Sequence, residues 1–243
     1  MNKDRSIRQL EKDNYENLSI SEQEGLTLLT KAIKELSEFL NTVSPIQHKD
    51  ALDLLLKNFG WYNRMWMSFN DLVPYIKDGD EAVDNYFMKK LWRSKYWIKQ
   101  KSIKRFPHRK RAIQLAFKAH NRREYELSVP AFLILSEGIF REMSTTDIFS
   151  KRQKEKSDFI NKLKGNIDAL PLLTHLVEAG INGDIIGLSF SNEEYLKYPN
   201  VLNRNVIIHG ADYEYGTRIN SYKAISQFEF IIEFVYAAVY GNF

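Results

Sequence analysis

Cysteine is absent from this chain of 243 residues. Its absence excludes disulfides, thiolate metal ligands and cysteine nucleophiles, and it favours a reducing compartment. The chain also lacks the long apolar run that a signal-peptide core or a membrane span requires, and its first residues are charged from the third position onward. These absences lead us to expect a cytoplasmic protein with no membrane partner.

The familiar short motifs of metal and cofactor sites are missing as well. The five histidines are scattered without a His-Glu-x-x-His pattern, which argues against a zinc hydrolase. The glycine patterns typical of dinucleotide sites, phosphate loops and serine esterases do not occur either. We therefore expect neither a metal nor a cofactor.

Acidic residues are missing from one long stretch, residues 89–123, which contains fourteen Lys or Arg and no Asp or Glu. Such a run of cations is either a solvated helix face or a surface that attracts nucleic acid. We predict RNA contacts for eight of these cations, namely Lys101, Lys104, Arg105, Arg109, Lys110, Arg111, Arg122 and Arg123. The interleaved aromatic residues are Trp92, Tyr96, Trp97, Phe106 and Phe117. Together they suit stacking on unpaired bases, but each one taken singly is more typical of a core residue.

Apolar residues recur at helical spacing through most of the chain. A capping box formed by Ser21 and Glu24 precedes a leucine pattern typical of an amphipathic helix. The other apolar patterns lie at residues 51–59, 112–119, 129–140, 167–177 and 220–240. We predict an all-α fold with a helical bundle at residues 105–243. An additional N-terminal helical region at residues 1–104 has no assigned function.

The segment Asn203–Gly210 gathers a cation, an amide and an imidazole around three apolar residues. Cleavage of RNA by its own 2′-hydroxyl needs a group that transfers protons and a cation that stabilises charge on the phosphate. His209 and Arg204 carry those two groups, and Asn205 adds a hydrogen-bonding side chain. Residues five apart lie roughly 140° apart around a helix axis. Arg204 and His209 therefore converge only in a groove between helices or across a dimer interface.

Glu137 lies in the most apolar of the helical patterns, where an unpaired carboxylate is costly. One interpretation is structural, with Glu137 binding a backbone end or a buried Arg. The other is that Glu137 supports the site by orienting Arg204 or His209. The residues alone leave both interpretations open.

Arg204, Asn205 and His209 resemble the signature of the HEPN superfamily, in which an Arg, a polar residue and a His occur at this spacing near the start of the last major helix. The likeness extends over residues 105–243, and residues 1–104 lie outside it. The stretches that carry it are Phe106-Pro107-His108-Arg109, residues 125–139, His209-Gly210, Tyr215-Gly216-Thr217 and the closing apolar helix.

This resemblance implies a helical bundle that forms a homodimer with two motifs side by side. It also implies a metal-independent endoribonuclease in which Arg204, Asn205 and His209 are catalytic and cleavage leaves a cyclic phosphate. Many proteins of this kind act as toxins or in phage defence, so a protein regulator or antitoxin is a candidate partner beside RNA. Two alternatives stay open: a catalytically inactive module that dimerises and binds nucleic acid, and a regulator that binds nucleotides.

Overall fold

The computed structural model describes residues 31, 54–64, 67, 69–144, 153–166, 181 and 198–241. By its internal contacts the chain divides into two compact units, residues 1–44 and 45–243. The helices and sites considered below all belong to the second unit. The helix predicted after Ser21 and the apolar pattern at residues 167–177 lie outside the described residues.

A π-helical turn, Leu55–Phe59, ends at Gly60, where the apolar pattern also ends. Gly60 has a φ of 72°, which favours glycine, and the chain passes very close to it. A Cβ at this position would lie 2.2 Å from the carbonyl oxygen of Asn200. The Asn200 side chain in turn donates to the carbonyl of Asn58 at 3.0 Å. This contact fastens the segment at residue 200 to the early part of the second unit.

Two long helices follow, α1 at Phe69–Asp78 and α2 at Asp80–Arg105. α2 has acidic residues in its first turn and basic residues in its last, so the charges at both ends complement the helix dipole. A short 3₁₀ turn, Pro107–Arg109, connects α2 to the next helix. The boundary expected between residues 104 and 105 falls in the last turn of α2, inside the second unit.

The next two helices form a hairpin, with α3 at Lys110–Asn121 and α4 at Tyr125–Ser144. In the turn between them, Arg123 adopts the left-handed conformation with a φ of 64°. The amide of Glu124 donates back to the carbonyl of Ala119 at 3.0 Å. This is a Schellman-type helix end, at which glycine is the usual residue.

The helices that the structure describes after α4 are α5 at Gln153–Asn166, α6 at Arg204–Ile208, α7 at Arg218–Phe230 and α8 at Tyr236–Tyr240. A π-helical turn, Ile231–Val235, joins α7 to α8 without a break. The apolar pattern at residues 220–240 therefore corresponds to one continuous helical stretch with a widened turn. Such turns are frequent at functional sites.

α4 packs against α3, α6 and α7, and α2 packs against α3 and α7. Three phenylalanines meet where these helices cross: the ring of Phe132 lies 4.9 Å from that of Phe117 and 5.5 Å from that of Phe228. All three are buried, and each contributes roughly 2–3 kcal/mol through removal from water. The part of the chain that the structure describes contains helices and no β-strand, which confirms the all-α prediction there.

Candidate functional site

The Arg-polar-His motif folds into the short helix α6. Asn203 caps its start, because the buried Oδ1 atom accepts hydrogen bonds from two amides of the first turn at 3.0 and 3.4 Å. Gly210 ends it with a φ of 73°, which lets the amide of Ala211 donate back to the carbonyl of Val206 at 2.7 Å. The two ends of the motif therefore determine where the helix begins and stops.

The Arg204 guanidinium is held by Glu137 of α4. Its Nη2 donates to Glu137 Oε2 at 2.6 Å, and its Nη1 donates to Asn205 Oδ1 at 3.1 Å. The side chains of Arg204 and Glu137 are only 21% and 15% exposed. Arg141, one turn along α4, lies 3.7 Å from the other Glu137 oxygen. A short, shielded ion pair of this kind orients a side chain more firmly than a surface pair does.

His209 lies at the C-terminal end of α6, and its side chain is exposed. Within the described residues its imidazole makes no hydrogen bond or ion pair. At a rise of about 1.5 Å per residue, roughly 7.5 Å separates His209 from Arg204 along the helix axis. The structure thus brings Arg204, Asn205 and Glu137 together and leaves His209 accessible. The contact of Glu137 with Arg204 is compatible with both interpretations of Glu137, the structural one and the supporting one.

A buried lysine that the sequence patterns did not single out anchors the segment leading into α6. Lys223 of α7 is 4% exposed, and its Nζ donates to the carbonyl of Asn200 at 2.6 Å. It also lies 3.9 Å from Asp84 Oδ1. Burial lowers the pKa of Lys223, while Asp84 and Asp80 oppose that change. The sequence does contain a signal for Lys223, because a cation inside the closing apolar helix needs a partner, as the carboxylate of Glu137 does in its own apolar helix.

The segment that follows α6 is attached to α4 at the carbonyl of Glu126, one helical turn before Pro130. Because proline has no N–H, the carbonyl of Glu126 lacks the amide donor that another residue at position 130 would supply. The hydroxyl of Tyr215 donates to this carbonyl at 3.1 Å. A Cβ on Gly216 would lie 2.6 Å from the Glu126 side chain, and Thr217 caps α7 by accepting an amide hydrogen bond at 3.1 Å. These contacts therefore hold residues 215–217, which follow α6, against α4.

Acids from outside residues 89–123 engage four of the eight cations predicted to contact RNA. These pairs are Lys101 and Arg105 with Glu233 (2.5 and 3.4 Å), Arg109 with Glu142 (2.6 Å) and Arg122 with Glu124 (2.6 Å). The other four, Lys104, Lys110, Arg111 and Arg123, are exposed and form no ion pair with any described residue. The positive surface is therefore narrower than the sequence alone indicated.

The aromatic residues of the basic stretch divide into two groups. Trp92, Tyr96 and Trp97 are 59%, 61% and 71% exposed on α2. Phe106 and Phe117 are buried in the core, which agrees with the interpretation of these aromatics as core residues and leaves their rings inaccessible to a base. The rings of Phe106 and Phe117 contribute to the packing of the helices. The rings of Trp92, Tyr96 and Trp97 are mostly exposed, so they are available for contact with a ligand.

Comparisons with protein-family models, characterised proteins and solved structures found no significant match to this chain. Among the described residues, no helix has both the length and the apolar character needed to cross a bilayer. In the same residues, no three His, Asp or Glu side chains converge as ligands for a metal ion. The HEPN assignment and the role of α6 stay predictions that depend on the residues and geometry described above.

Proposed function

We propose that this protein is a metal-independent endoribonuclease of the HEPN kind, with Arg204, Asn205 and His209 as its reactive groups. The observation that carries the proposal is the arrangement along α6. At one end a guanidinium is held by Glu137, and at the other end an imidazole is exposed and without a partner among the described residues. A fixed cation and an accessible proton-transfer group are the two requirements of cleavage by the 2′-hydroxyl.

In this reaction the 2′-oxygen of a ribose attacks the neighbouring phosphorus, and the bond from phosphorus to the 5′-oxygen of the next nucleotide breaks. The products are a 2′,3′-cyclic phosphate and a 5′-hydroxyl. Arg204 stabilises the charge that develops on the phosphate oxygens. His209 accepts the proton of the 2′-hydroxyl and returns a proton to the leaving 5′-oxygen. Asn205, which accepts a hydrogen bond from Arg204, offers its amide N–H to the same phosphate.

The proposal includes a homodimer, because Arg204 and His209 lie at opposite ends of α6 within one chain. Two copies with their motifs side by side let the guanidinium of one and the imidazole of the other act on the same phosphate. Leu127 and Ile134 lie two helical turns apart on α4, the helix that carries Glu137, and are 61% and 54% exposed. These apolar side chains support a contact between copies close to the motif.

Cleavage of labelled total RNA and transfer RNA in EDTA tests the function. We expect the wild type to release fragments with cyclic phosphate ends, and His209→Ala and Arg204→Ala to cut at least about 100-fold more slowly. His108→Ala is the matched control, because His108 is also exposed but pairs with Glu142 outside the motif. If folded wild type does not cut, or the two motif variants cut as well as the control, the site assignment is wrong.

The second candidate function is a catalytically inactive module that binds RNA. The exposed rings of Tyr96 and Trp97 favour it, since a binding surface on α2 does not require chemistry at α6. RNA binding without cleavage in every preparation would establish this alternative. A role as a toxin or phage-defence effector, held in check by a protein regulator, follows only from the cleaving form. Growth arrest on expression of wild type, but not of His209→Ala, tests that role.

A further inference from the structure

An open cavity of about 750 Å³ lies beside α2, away from the residues of α6. One wall is a stripe of α2 residues at steps of three and four, and it includes Tyr86, Lys90, Trp97 and Lys104. Arg64 and the closing helical stretch supply the other walls. Small-molecule sites in proteins commonly occupy roughly 300–1,000 Å³, so this cavity can hold one ligand of nucleotide size.

The carboxylates that reach this cavity are already neutralised. Glu229 accepts two hydrogen bonds from Arg64, both at 2.8 Å, in the paired geometry typical of arginine and carboxylate. Glu233 is paired with Lys101 and Arg105. The walls therefore present hydrogen-bonding groups but little uncompensated negative charge.

Two exposed cations that line the cavity are not neutralised in this way. Lys90 and Lys104 are both exposed, and neither pairs with an acid in the described part of the chain. Lys90 lies only over the ring of Tyr86, with its Nζ 5.3 Å from the ring centroid. Each of these lysines is an uncompensated positive charge on the cavity wall and attracts an anion such as a phosphate.

Trp97 gives the cavity an aromatic surface. Its indole is the most exposed of the three exposed rings on α2, and its ring meets Tyr96 edge to face at 5.6 Å. An indole left in solvent beside lysines matches the chemistry of a base attached to a phosphate. Stacking of a base on an aromatic side chain is typically worth about 1–3 kcal/mol, which is roughly a 5- to 150-fold change in affinity.

We propose that this cavity binds one nucleotide, with its base stacked on Trp97 and a phosphate at Lys90 or Lys104, which lie roughly 10 Å to either side of Trp97 along α2. The nucleotide is either a free mononucleotide or one residue of an unpaired RNA strand. The chemistry recognised is the same in both cases. Binding in this cavity does not depend on cleavage at α6, because the residues proposed for cleavage, Arg204, Asn205 and His209, do not line it.

Binding is measured on the full chain carrying His209→Ala, so that RNA stays intact during the experiment. The probes are adenosine monophosphate, a short unstructured oligoadenylate and a duplex RNA of the same length. We expect Trp97→Ala to weaken binding of the preferred probe roughly 10- to 100-fold. Trp92→Ala is the matched control, because Trp92 is exposed on the same helix but does not line the cavity. It is expected to change binding less than about twofold.

The double variant Lys90→Ala and Lys104→Ala tests the phosphate contact. It is expected to weaken binding and to reduce the slope of log affinity against log salt. The matched control is the double variant Lys89→Ala and Lys118→Ala, because both lysines are exposed, neither lines the cavity and neither is among the eight cations predicted to contact RNA. Trp97-dependent binding of the monophosphate identifies a free-nucleotide site. Trp97-dependent binding of the oligoadenylate alone identifies a site for unpaired RNA.

Other results overturn the proposal. Equal effects of Trp97→Ala and Trp92→Ala, tighter binding of duplex than of unpaired RNA, or no binding of any probe would each do so. Self-association that Trp97→Ala abolishes, without nucleotide binding, would show that the cavity is a contact between copies. These outcomes are independent of the cleavage assay, in which Trp97 and Lys90 keep their wild-type identity.

Discussion

The stability of this protein is expected to depend on pH through a buried histidine. His120, at the end of α3, is 4% exposed. Its Nδ1 lies 2.7 Å from the hydroxyl oxygen of Ser221, which lies 2.7 Å from that of Ser128. The edge-to-face ring of Tyr222, 4.6 Å away, covers the imidazole. This environment accommodates the neutral ring, and no carboxylate of the described residues stabilises a charged one.

The size and sign of the effect follow from the pKa. Burial, with smaller contributions from the cations Lys95 and Arg218, lowers the pKa of His120 to about 4, whereas an unfolded chain has an ordinary value near 6.5. Above that ordinary value the imidazole is neutral in both states. Between the two pKa values only the unfolded chain binds the proton. The free energy of unfolding therefore falls as the pH falls through this range, by about 3 kcal/mol in all.

The assay is urea unfolding of wild type and His120→Asn at a series of pH values between neutrality and pH 4. Asparagine keeps a polar group near Ser221 but does not titrate. The carboxylates titrate in both proteins, so their contribution largely cancels in the difference. We expect the variant to gain about 3 kcal/mol relative to wild type across the range, whatever its stability at neutral pH.

Parallel stability profiles for the two proteins would refute this reasoning. So would a folded-state imidazole resonance of His120 that titrates near its ordinary pKa. The resonance is measured on wild type by nuclear magnetic resonance, so the test does not depend on whether His120→Asn folds.

Three further predictions concern the free energy of unfolding at neutral pH, measured by urea denaturation. Arg123→Gly is expected to raise it by roughly 0.5–1 kcal/mol, because a left-handed φ of 64° penalises a Cβ; Arg122→Gly, at a φ of −84°, gives no such gain. Ser136→Ala is expected to be neutral or stabilising, since that buried hydroxyl has no described hydrogen-bond partner, whereas Ser221→Ala costs about 1–3 kcal/mol. Gly60→Ala is expected to cost roughly 2–4 kcal/mol, because its Cβ would meet a backbone carbonyl at 2.2 Å. Reversed order within either matched pair, or a tolerated alanine at position 60, contradicts the corresponding argument.

Much of the helical structure could be predicted because its signals are local. The apolar spacing at residues 112–119 and 129–140 matches α3 and α4, and the pattern at 220–240 matches the closing helical stretch. The π-helical turn at Ile231–Val235 was not predicted. Its residues have ordinary helical spacing, and nothing in a hydrophobic pattern distinguishes a widened turn from a regular one.

The candidate site was only partly predictable. The residues of α6 form a local motif, and the cost of burying Glu137 indicated that it needs a partner. The actual partner, Arg204, lies 67 residues away and is brought to it by the packing of α6 on α4. The anchoring role of Lys223 and the acceptor that Pro130 leaves for Tyr215 likewise depend on contacts between distant segments.

The basic stretch shows where local information ends. Its amino-acid composition determined that α2 and α3 carry many cations and several aromatic rings. Only the tertiary structure decided which cations stay unpaired, because Glu233 and Glu142 approach from other helices. It also decided which rings are buried, because burial depends on what packs against each face of a helix. Helical periodicity acts over a few residues and is readable from the chain, whereas charge pairing and cavities arise only when distant segments meet.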